Sequence, residues 1–208
     1  MYRSLNDEMR EKFGRKVYKL ALEGGFSCPN RDGKVGRGGC TYCDNAAFHP
    51  SYSTAGKSLH QQLDEGIEFH KVRYRTTEHY LAYFQSFSNT YAPLDVLHSR
   101  YDEALSHPEV VGVVVGTRPD CVSEEILDYF AELAKSHCVT LEYGIESTYD
   151  STLKSINRGH DFACAERAVK MTAERGLAVG AHFVLGLPGE TDEMILEQVQ
   201  RINALPLT

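Results

Sequence analysis

The chain has 208 residues, of which 42% are hydrophobic and 25% are charged, as is ordinary for one globular domain with a continuous core. Lys and Arg number 22 against 29 Asp and Glu, and the net charge of −7 argues against a broad basic surface for nucleic acid. Six cysteines are too few for a disulfide scaffold, residues 1–16 contain no apolar signal core, and the longest apolar run, 110–115, cannot span a membrane. The sequence therefore predicts one domain over residues 1–208, in the reducing cytoplasm and away from membranes.

Short runs of apolar, β-branched and aromatic residues alternate along the chain with longer segments of helical period. The runs predict strands over residues 17–22, 80–84, 110–115, 139–145 and 178–185. Helices are predicted over residues 58–73 and 93–106 and after three typical N-cap residues, Ser123, Asp161 and Thr191.

Successive strand–helix units span about thirty to forty residues, which is the length of a βαβ crossover. We therefore expect an α/β fold in which helices cover a parallel sheet, and the pattern leaves open a doubly wound sheet or a (β/α) barrel. In the last helix the period places Ile195, Val199 and Ile202 on the buried face. Because a barrel needs at least one more strand, we expect the chain to be truncated after the fifth strand and its helix.

The most informative segment is a glycine-rich loop directly after the first predicted strand. Cys28, Cys40 and Cys43 have the spacing C-x11-C-x2-C at the end of a parallel strand, where α/β folds bind their ligands. Three thiolates on a four-iron cluster would leave one iron open to a substrate. With His49, the same cysteines would instead form a Cys3His zinc site. The spacing alone leaves both sites open, although a full α/β core has little need of structural zinc.

Five segments of the chain share a resemblance to one family. They are residues 17–43 with the cysteines, Tyr-Phe-Gln-Ser-Phe-Ser-Asn-Thr-Tyr-Ala-Pro at 83–93, Gly-Thr-Arg-Pro-Asp at 116–120, Leu-Glu-Tyr-Gly-Ile-Glu-Ser at 141–147 with Asn-Arg-Gly-His at 157–160, and His-Phe-Val-Leu-Gly-Leu-Pro-Gly-Glu at 182–190. In this order and spacing they resemble the elongator-like radical S-adenosylmethionine (SAM) proteins of the YhcC/YtqA type.

The resemblance implies a partial (β/α)6 barrel, related to the TIM barrel, with parallel strands and outer helices. It implies a [4Fe-4S] cluster on Cys28, Cys40 and Cys43 that cleaves SAM to methionine and a 5′-deoxyadenosyl radical. The cofactor would carry the chemistry, and the protein would bind and orient it. An electron donor such as flavodoxin or ferredoxin is implied as a partner.

The resemblance also implies SAM contacts. Tyr42, just before the third cysteine, would lie near the adenine. Ser88, Asn89 and Thr90, after the second strand, would meet the methionyl amine, although many radical SAM proteins carry a Gly-Gly-Glu-like sequence there and this chain does not.

Three more SAM contacts would follow later strands. Glu146 and His182 would hold the ribose, and Arg158 would pair with the SAM carboxylate, which suits a guanidinium fork. Without a cluster the same residues fit ordinary roles: Glu146 as a charge at a helix N-terminus, Arg158 as a loop residue and His182 as a core histidine.

Two further observations concern residues near these segments. The sequence Thr-Arg-Pro-Asp suits a turn that an Arg118–Asp120 bond would fix, so a structural role is expected there. Glu142 fits two places equally well, pointing into the barrel toward a substrate or covering a helix.

The substrate is the least defined part of the sequence analysis. Because relatives in the resembled family are linked to wobble uridine in tRNA, we expect a tRNA-modifying radical SAM enzyme. One alternative is a radical SAM reaction on a small molecule such as a tetrapyrrole, as in the oxygen-independent coproporphyrinogen oxidases. The other alternative is a non-catalytic, zinc-stabilised binding module.

Overall fold

The computed structural model describes residues 4–74 and 79–208, and one parallel sheet forms its centre. In that part of the chain the sheet has five strands that neighbour one another in sequence order: β1 Tyr18–Leu22, β2 Tyr80–Phe84, β3 Val110–Thr117, β4 Cys138–Glu146 and β5 Ala178–Phe183. Every neighbouring pair is parallel. The predicted α/β class and the predicted strands are confirmed.

Helices connect the strands. In chain order they are α1 Leu5–Phe13, α2 Pro29–Asp32, α3 Leu59–Tyr74, α4 Leu94–Leu105, α5 Glu124–Leu133, α6 Asp150–Ser155, α7 Phe162–Glu174 and α8 Asp192–Asn203. The side chains of Ser123, Asp161 and Thr191 each accept a hydrogen bond from the backbone N–H three residues on, so these predicted N-caps are confirmed. None of the described helices combines the length and apolar character needed to cross a bilayer.

The sheet is curved as in a barrel. The sequential strand order differs from a doubly wound sheet, in which the order reverses at a switch point. Lys19 on β1 and Glu142 on β4 are three strands apart, which is about 14 Å in a flat sheet. Their Nζ and Oε1 atoms nevertheless lie 2.5 Å apart. The concave face therefore bends strongly, and the chain forms part of a barrel, as the resemblance implied.

The outer face of the sheet forms the main core. Leu20, Phe84, Leu141 and Val179 are fully buried on that face beneath the helices, and the rings of Phe84 and Tyr101 on α4 meet edge to face at 4.9 Å. Because side chains alternate along a strand, the intervening residues point to the concave side. The concave side is called the inner face below.

α1 was not predicted, and it covers the amino-terminal end of the inner face. Ser4 and Asp7 form a capping box: the Ser4 hydroxyl accepts from the Asp7 N–H, and the Asp7 carboxylate accepts from the Ser4 N–H. Met9 packs into a small apolar cluster with Leu81 and Val114. The inner face is therefore closed at this end.

The apolar face predicted for α8 is not the side that the helix buries most deeply. Val199 is 48% exposed, Ile195 and Ile202 are half-buried, and the residue that the helix buries is Gln198, which is 1% exposed. The Gln198 side chain accepts from the Thr148 N–H at 2.9 Å and donates to the Glu190 carboxylate at 2.9 Å. Polar hydrogen bonds to distant loops thus decide which side of α8 faces inward.

Candidate functional site

A cavity of about 350 Å³ opens at the carboxyl ends of the strands, and Cys28, Cys40 and Cys43 all line it. The loop after β1 delivers Cys28 to the start of α2 and then returns to carry Cys40 and Cys43 past the same cavity. Among the described residues, no three His, Cys, Asp or Glu side chains converge closely enough to hold a single metal ion.

The cysteine loop is tied to the segment after α6. Asn30 donates to the Asn157 carbonyl, Asn157 donates to the Gly39 carbonyl at 2.8 Å, and the Thr41 N–H donates to the Ile156 carbonyl at 3.0 Å. Gly39 has a φ of 84°, in the left-handed region that glycine enters without strain. These bonds fix the loop over the mouth of the barrel.

Two arginines face the cysteine sulfurs. Arg158 Nη1 lies 3.4 Å from Cys40 Sγ, and Arg31 Nη2 lies 3.3 Å from Cys43 Sγ and 2.9 Å from the Cys43 carbonyl. A metal-bound thiolate carries negative charge, which a neighbouring guanidinium group would offset. Arg31 was not singled out in the sequence, since one arginine in a polar loop carries no distinctive signal.

Tyr42, Glu146 and Arg158 come together beside Cys40. Arg158 Nη2 donates to the Gly144 carbonyl at 2.5 Å and lies 3.5 Å from Glu146 Oε1, and Tyr42 lines the same cavity. Burial raises the pKa of Glu146, and the Arg158 charge opposes that rise. A Cβ on Gly144 would lie 2.6 Å from Glu146 Oε1 and 2.7 Å from Arg158 Nη2, so only glycine leaves room for this pair.

Neither ordinary role that the sequence left open for this pair fits the structure. Arg158 is 7% exposed rather than lying on a loop surface, and Nε of Arg158 has no partner among the described residues. Glu146 is 8% exposed and has a φ of +74°, which is strained for a residue with a side chain. Strained backbone and an unused buried donor are typical of a binding site.

The side chains of Ser88, Asn89 and Thr90 lie behind the cavity wall. Asn89 donates to the Phe84 and Gly116 carbonyls, and the hydroxyls of Ser88 and Thr90 both bond the Thr117 hydroxyl. These hydrogen bonds thus join the end of β2 to the end of β3. A SAM contact of these three residues stays a prediction.

Three residues just before them line the cavity, namely Gln85, Ser86 and Phe87. Phe87 has a φ of +68°, a conformation that favours glycine. The backbone therefore turns through the left-handed region at a residue that carries a side chain.

His49 is engaged away from the cysteines. Its Nε2 lies 3.0 Å from the Ser86 hydroxyl and 3.4 Å from a Glu23 carboxylate oxygen, and its Nδ1 lies 3.3 Å from the Ser53 carbonyl. Both ring nitrogens therefore have partners other than a metal. The arrangement does not assemble the Cys3His set that the zinc alternative requires.

Arg118 has the structural role that the sequence predicted. Its guanidinium forms a two-pronged bond with the Asp120 carboxylate at 2.8 and 2.7 Å, and Nη1 donates to the Arg158 carbonyl at 2.8 Å. Arg118 thus supports the backbone of Arg158 from behind.

His182 and Glu142 lie on the inner face, below the cysteines. His182 Nε2 is 2.9 Å from Glu142 Oε2, and Lys19 Nζ is 2.5 Å from the other carboxylate oxygen. The two places that the sequence left open for Glu142 are thereby resolved: it points into the barrel. Lys19 was missed, although its position between the buried Val17 and Leu20 could have shown that it faces inward.

Comparisons with known proteins agree with this architecture. Residues 30–202 match the Radical SAM superfamily. Protein YhcC of Escherichia coli is 42% identical over 196 residues, which cover 94% of this chain and 62% of YhcC. The tRNA uridine(34) acetyltransferase of Methanocaldococcus infernus is 27% identical over 122 residues, which cover 54% of this chain and 22% of that protein.

A solved structure shows the same fold. The archaeal Methanocaldococcus infernus Elp3 with an N-terminal deletion superposes with a TM-score of 0.66 at 18% identity, over 89% of this chain and 42% of that one. This chain spans about three fifths of the length of YhcC. The family match extends over most of the residues, and the chain therefore belongs to the radical SAM superfamily of enzymes, as the resemblance implied.

Proposed function

We propose that the cavity holds a [4Fe-4S] cluster on Cys28, Cys40 and Cys43 together with SAM. The main support is that the three cysteines share one cavity with the Glu146–Arg158 pair. The donor set fits the group, because three thiolates with guanidinium neighbours suit an anionic iron–sulfur centre that keeps one iron open. The bonds of His49 favour this assignment over zinc.

The surrounding residues would bind and orient SAM. Arg158 would turn from Glu146 to the SAM carboxylate, while Glu146 and His182 would hold the ribose hydroxyls and Tyr42 would cover the adenine. Ser88, Asn89 and Thr90 would position the backbone that meets the methionyl amine. When bound, the cluster and SAM supply a 5′-deoxyadenosyl radical. The residues of the chain would position the substrate beside the radical and exclude water.

The test is anaerobic purification, iron and sulfide analysis, and dithionite reduction with SAM. We expect about four irons per chain and release of 5′-deoxyadenosine. A stoichiometric zinc without iron or SAM cleavage would overturn the proposal.

Substitution of the cysteines sharpens this test. We expect Cys28→Ala, Cys40→Ala and Cys43→Ala each to lose the iron, because a cluster with two thiolate ligands is poorly held. Cys164→Ala serves as the control, since Cys164 lies on α7 outside the cavity. A variant that keeps all its iron would remove that cysteine from the site.

We further propose that the target is wobble uridine in tRNA and that the electron donor is a cytoplasmic flavodoxin or ferredoxin. Support for tRNA comes from the similarity to the tRNA uridine(34) acetyltransferase of Methanocaldococcus infernus. Deletion of the gene, followed by nucleoside analysis of total tRNA, should show the loss of one modified uridine. An unchanged tRNA profile with an accumulated tetrapyrrole would favour the small-molecule alternative.

A further inference from the structure

Ser86, His49 and Glu23 form a polar cluster at the cavity wall that the proposed function does not use. Ser86 lines the cavity just after β2, and its hydroxyl oxygen lies 3.0 Å from His49 Nε2. A Glu23 carboxylate oxygen lies 3.4 Å from the same ring nitrogen. Ser86 and Glu23 are both buried. The cluster therefore presents one hydroxyl to the cavity, with an imidazole and a carboxylate behind it.

The hydrogen bonds of the His49 ring determine which of its nitrogens carries the proton. Nδ1 lies 3.3 Å from the Ser53 carbonyl, and a carbonyl oxygen can only accept, so Nδ1 is the donor. In a neutral imidazole the other nitrogen is then an acceptor. Nε2 therefore accepts from the Ser86 hydroxyl, which is the arrangement in which a histidine can take a proton from a serine.

Glu23 supplies the charge that this proton transfer needs. When Nε2 takes a proton the ring becomes a cation, and the carboxylate beside Nε2 stabilises that cation. The position of Glu23 is fixed, because its other carboxylate oxygen accepts from the Gly25 N–H at 2.9 Å and its backbone N–H donates to the Gln62 side chain at 2.8 Å. The carboxylate therefore stands at the nitrogen that receives the proton.

The Ser86 oxygen can react on its cavity side. A hydroxyl has one donor and two acceptor positions, and the bond to His49 uses the donor. Gln85 and Phe87 flank Ser86 and line the same cavity, so a ligand held there would lie against this oxygen. A hydroxyl within hydrogen-bond reach of a base that a third group orients is the general signature of nucleophilic catalysis.

We propose that Ser86 is a nucleophile, with His49 as its general base, and that the pair acts on an activated carbonyl group of a ligand in the cavity. A bond forms between Ser86 Oγ and the carbonyl carbon, and the bond from that carbon to its leaving group breaks. The Ser86 proton passes to His49 Nε2 and from there to the leaving group. Water then releases the acyl group by the same route. This activity goes beyond the proposed cluster chemistry and does not require it.

The test exposes the anaerobically purified protein to diisopropyl fluorophosphate, followed by mass spectrometry of its peptides. In this reaction the Ser86 oxygen bonds to phosphorus, fluoride leaves, and His49 takes the proton. We expect the label on Ser86. We also expect the wild type to cleave p-nitrophenyl acetate and to lose this cleavage once it is labelled. A protein without label on Ser86, or ester cleavage that continues after labelling, would overturn the proposal.

Matched variants separate a general base from a purely structural hydrogen bond. His49→Gln can still bond Ser86 through its amide but cannot take a proton, so we expect labelling to slow about a hundredfold or more. His98→Gln is the control, because His98 stacks on Tyr129 of α5 outside the cavity. Circular dichroism checks that both variants are folded. Equal labelling rates of the wild type and His49→Gln would show that the bond only fastens the loop to the end of β2.

Iron content and 5′-deoxyadenosine release are measured on the same preparation of the wild type. Iron and SAM cleavage without label on Ser86 would contradict this inference alone. Label on Ser86 without iron or SAM cleavage would contradict the proposed function alone.

Discussion

Glu146 combines a functional position with an unfavourable backbone. Its φ of +74° places a residue with a side chain in the left-handed region, at the last position of β4 and two residues after Gly144. The ion pair with Arg158 and the hydrogen bond from the Val184 N–H to the Glu146 carbonyl hold it there. Strain of this kind persists where the neighbouring structure over-determines the conformation.

The backbone strain at Glu146 predicts an unusual order of variant stability. Glu146→Gly and Glu146→Ala lose the same carboxylate, but only alanine keeps a Cβ at positive φ. We expect the glycine variant to have a free energy of unfolding about 1 kcal/mol above that of the alanine variant, measured by urea denaturation. At Glu132, in the exposed part of α5, the order should reverse, because alanine favours helix. The same order at both positions would contradict the strain.

The bond between His182 and Glu142 predicts a dependence of stability on pH. The pKa of His182 is higher in the folded chain than in the unfolded chain. The His182–Glu142 bond therefore stabilises the fold fully below the unfolded pKa of about 6.5, and this stabilisation is lost as the pH rises through the folded pKa. We therefore expect Glu142→Gln to destabilise the chain more at about pH 6 than at about pH 9.

Urea unfolding at the two pH values measures this difference. Glu65→Gln is the control, since the partner of Glu65 is a lysine, Lys57, and not a histidine. If Glu142→Gln lowered the free energy of unfolding equally at both pH values, the charge on His182 would not be stabilised by Glu142.

At the scale of elements, α8 is held by a polar contact. Gln198 bonds the Thr148 N–H and the Glu190 carboxylate in a buried position. Its removal leaves a buried donor and acceptor without a partner, so Gln198→Ala should cost about 1–3 kcal/mol of unfolding free energy. Val199→Ala on the exposed side should stay within about 0.5 kcal/mol. Chemical denaturation of both variants checks this, and similar losses would contradict it.

The strands could be predicted because five apolar runs are each bounded by turns and separated by helical periods. The face of α8 could not, because Gln198 finds its partners in loops that lie about fifty and eight residues away in the sequence. α1 could have been found from Ser4, Asp7 and Gly14, which mark both its ends.

The candidate site shows the same division. The cysteines and the pair Glu146 and Arg158 were predicted because they fall in segments of recognisable order and spacing. The trio of Lys19, Glu142 and His182 depends on the curvature that brings β1 against β4, and a sequence does not display curvature.

For the whole molecule, the net charge of −7 sets an expectation for nucleic acid. Because the net charge is negative, this chain alone should bind a folded tRNA weakly, with a Kd in or above the range of about 1–100 μM at physiological salt and a shallow salt slope. Filter binding between about 50 and 200 mM salt measures both. A nanomolar Kd with a steep slope would show that the described surface carries a basic groove after all.

Two inner-face glycines that line the cavity have a consequence for how specificity can change over time. Gly116 and Gly144 already have the smallest possible side chain, so any substitution at these positions crowds the cavity wall. Mutation at these positions can therefore only favour smaller substrates. A related enzyme with a larger cavity would need a smaller residue elsewhere on the inner face, for example in place of Tyr83.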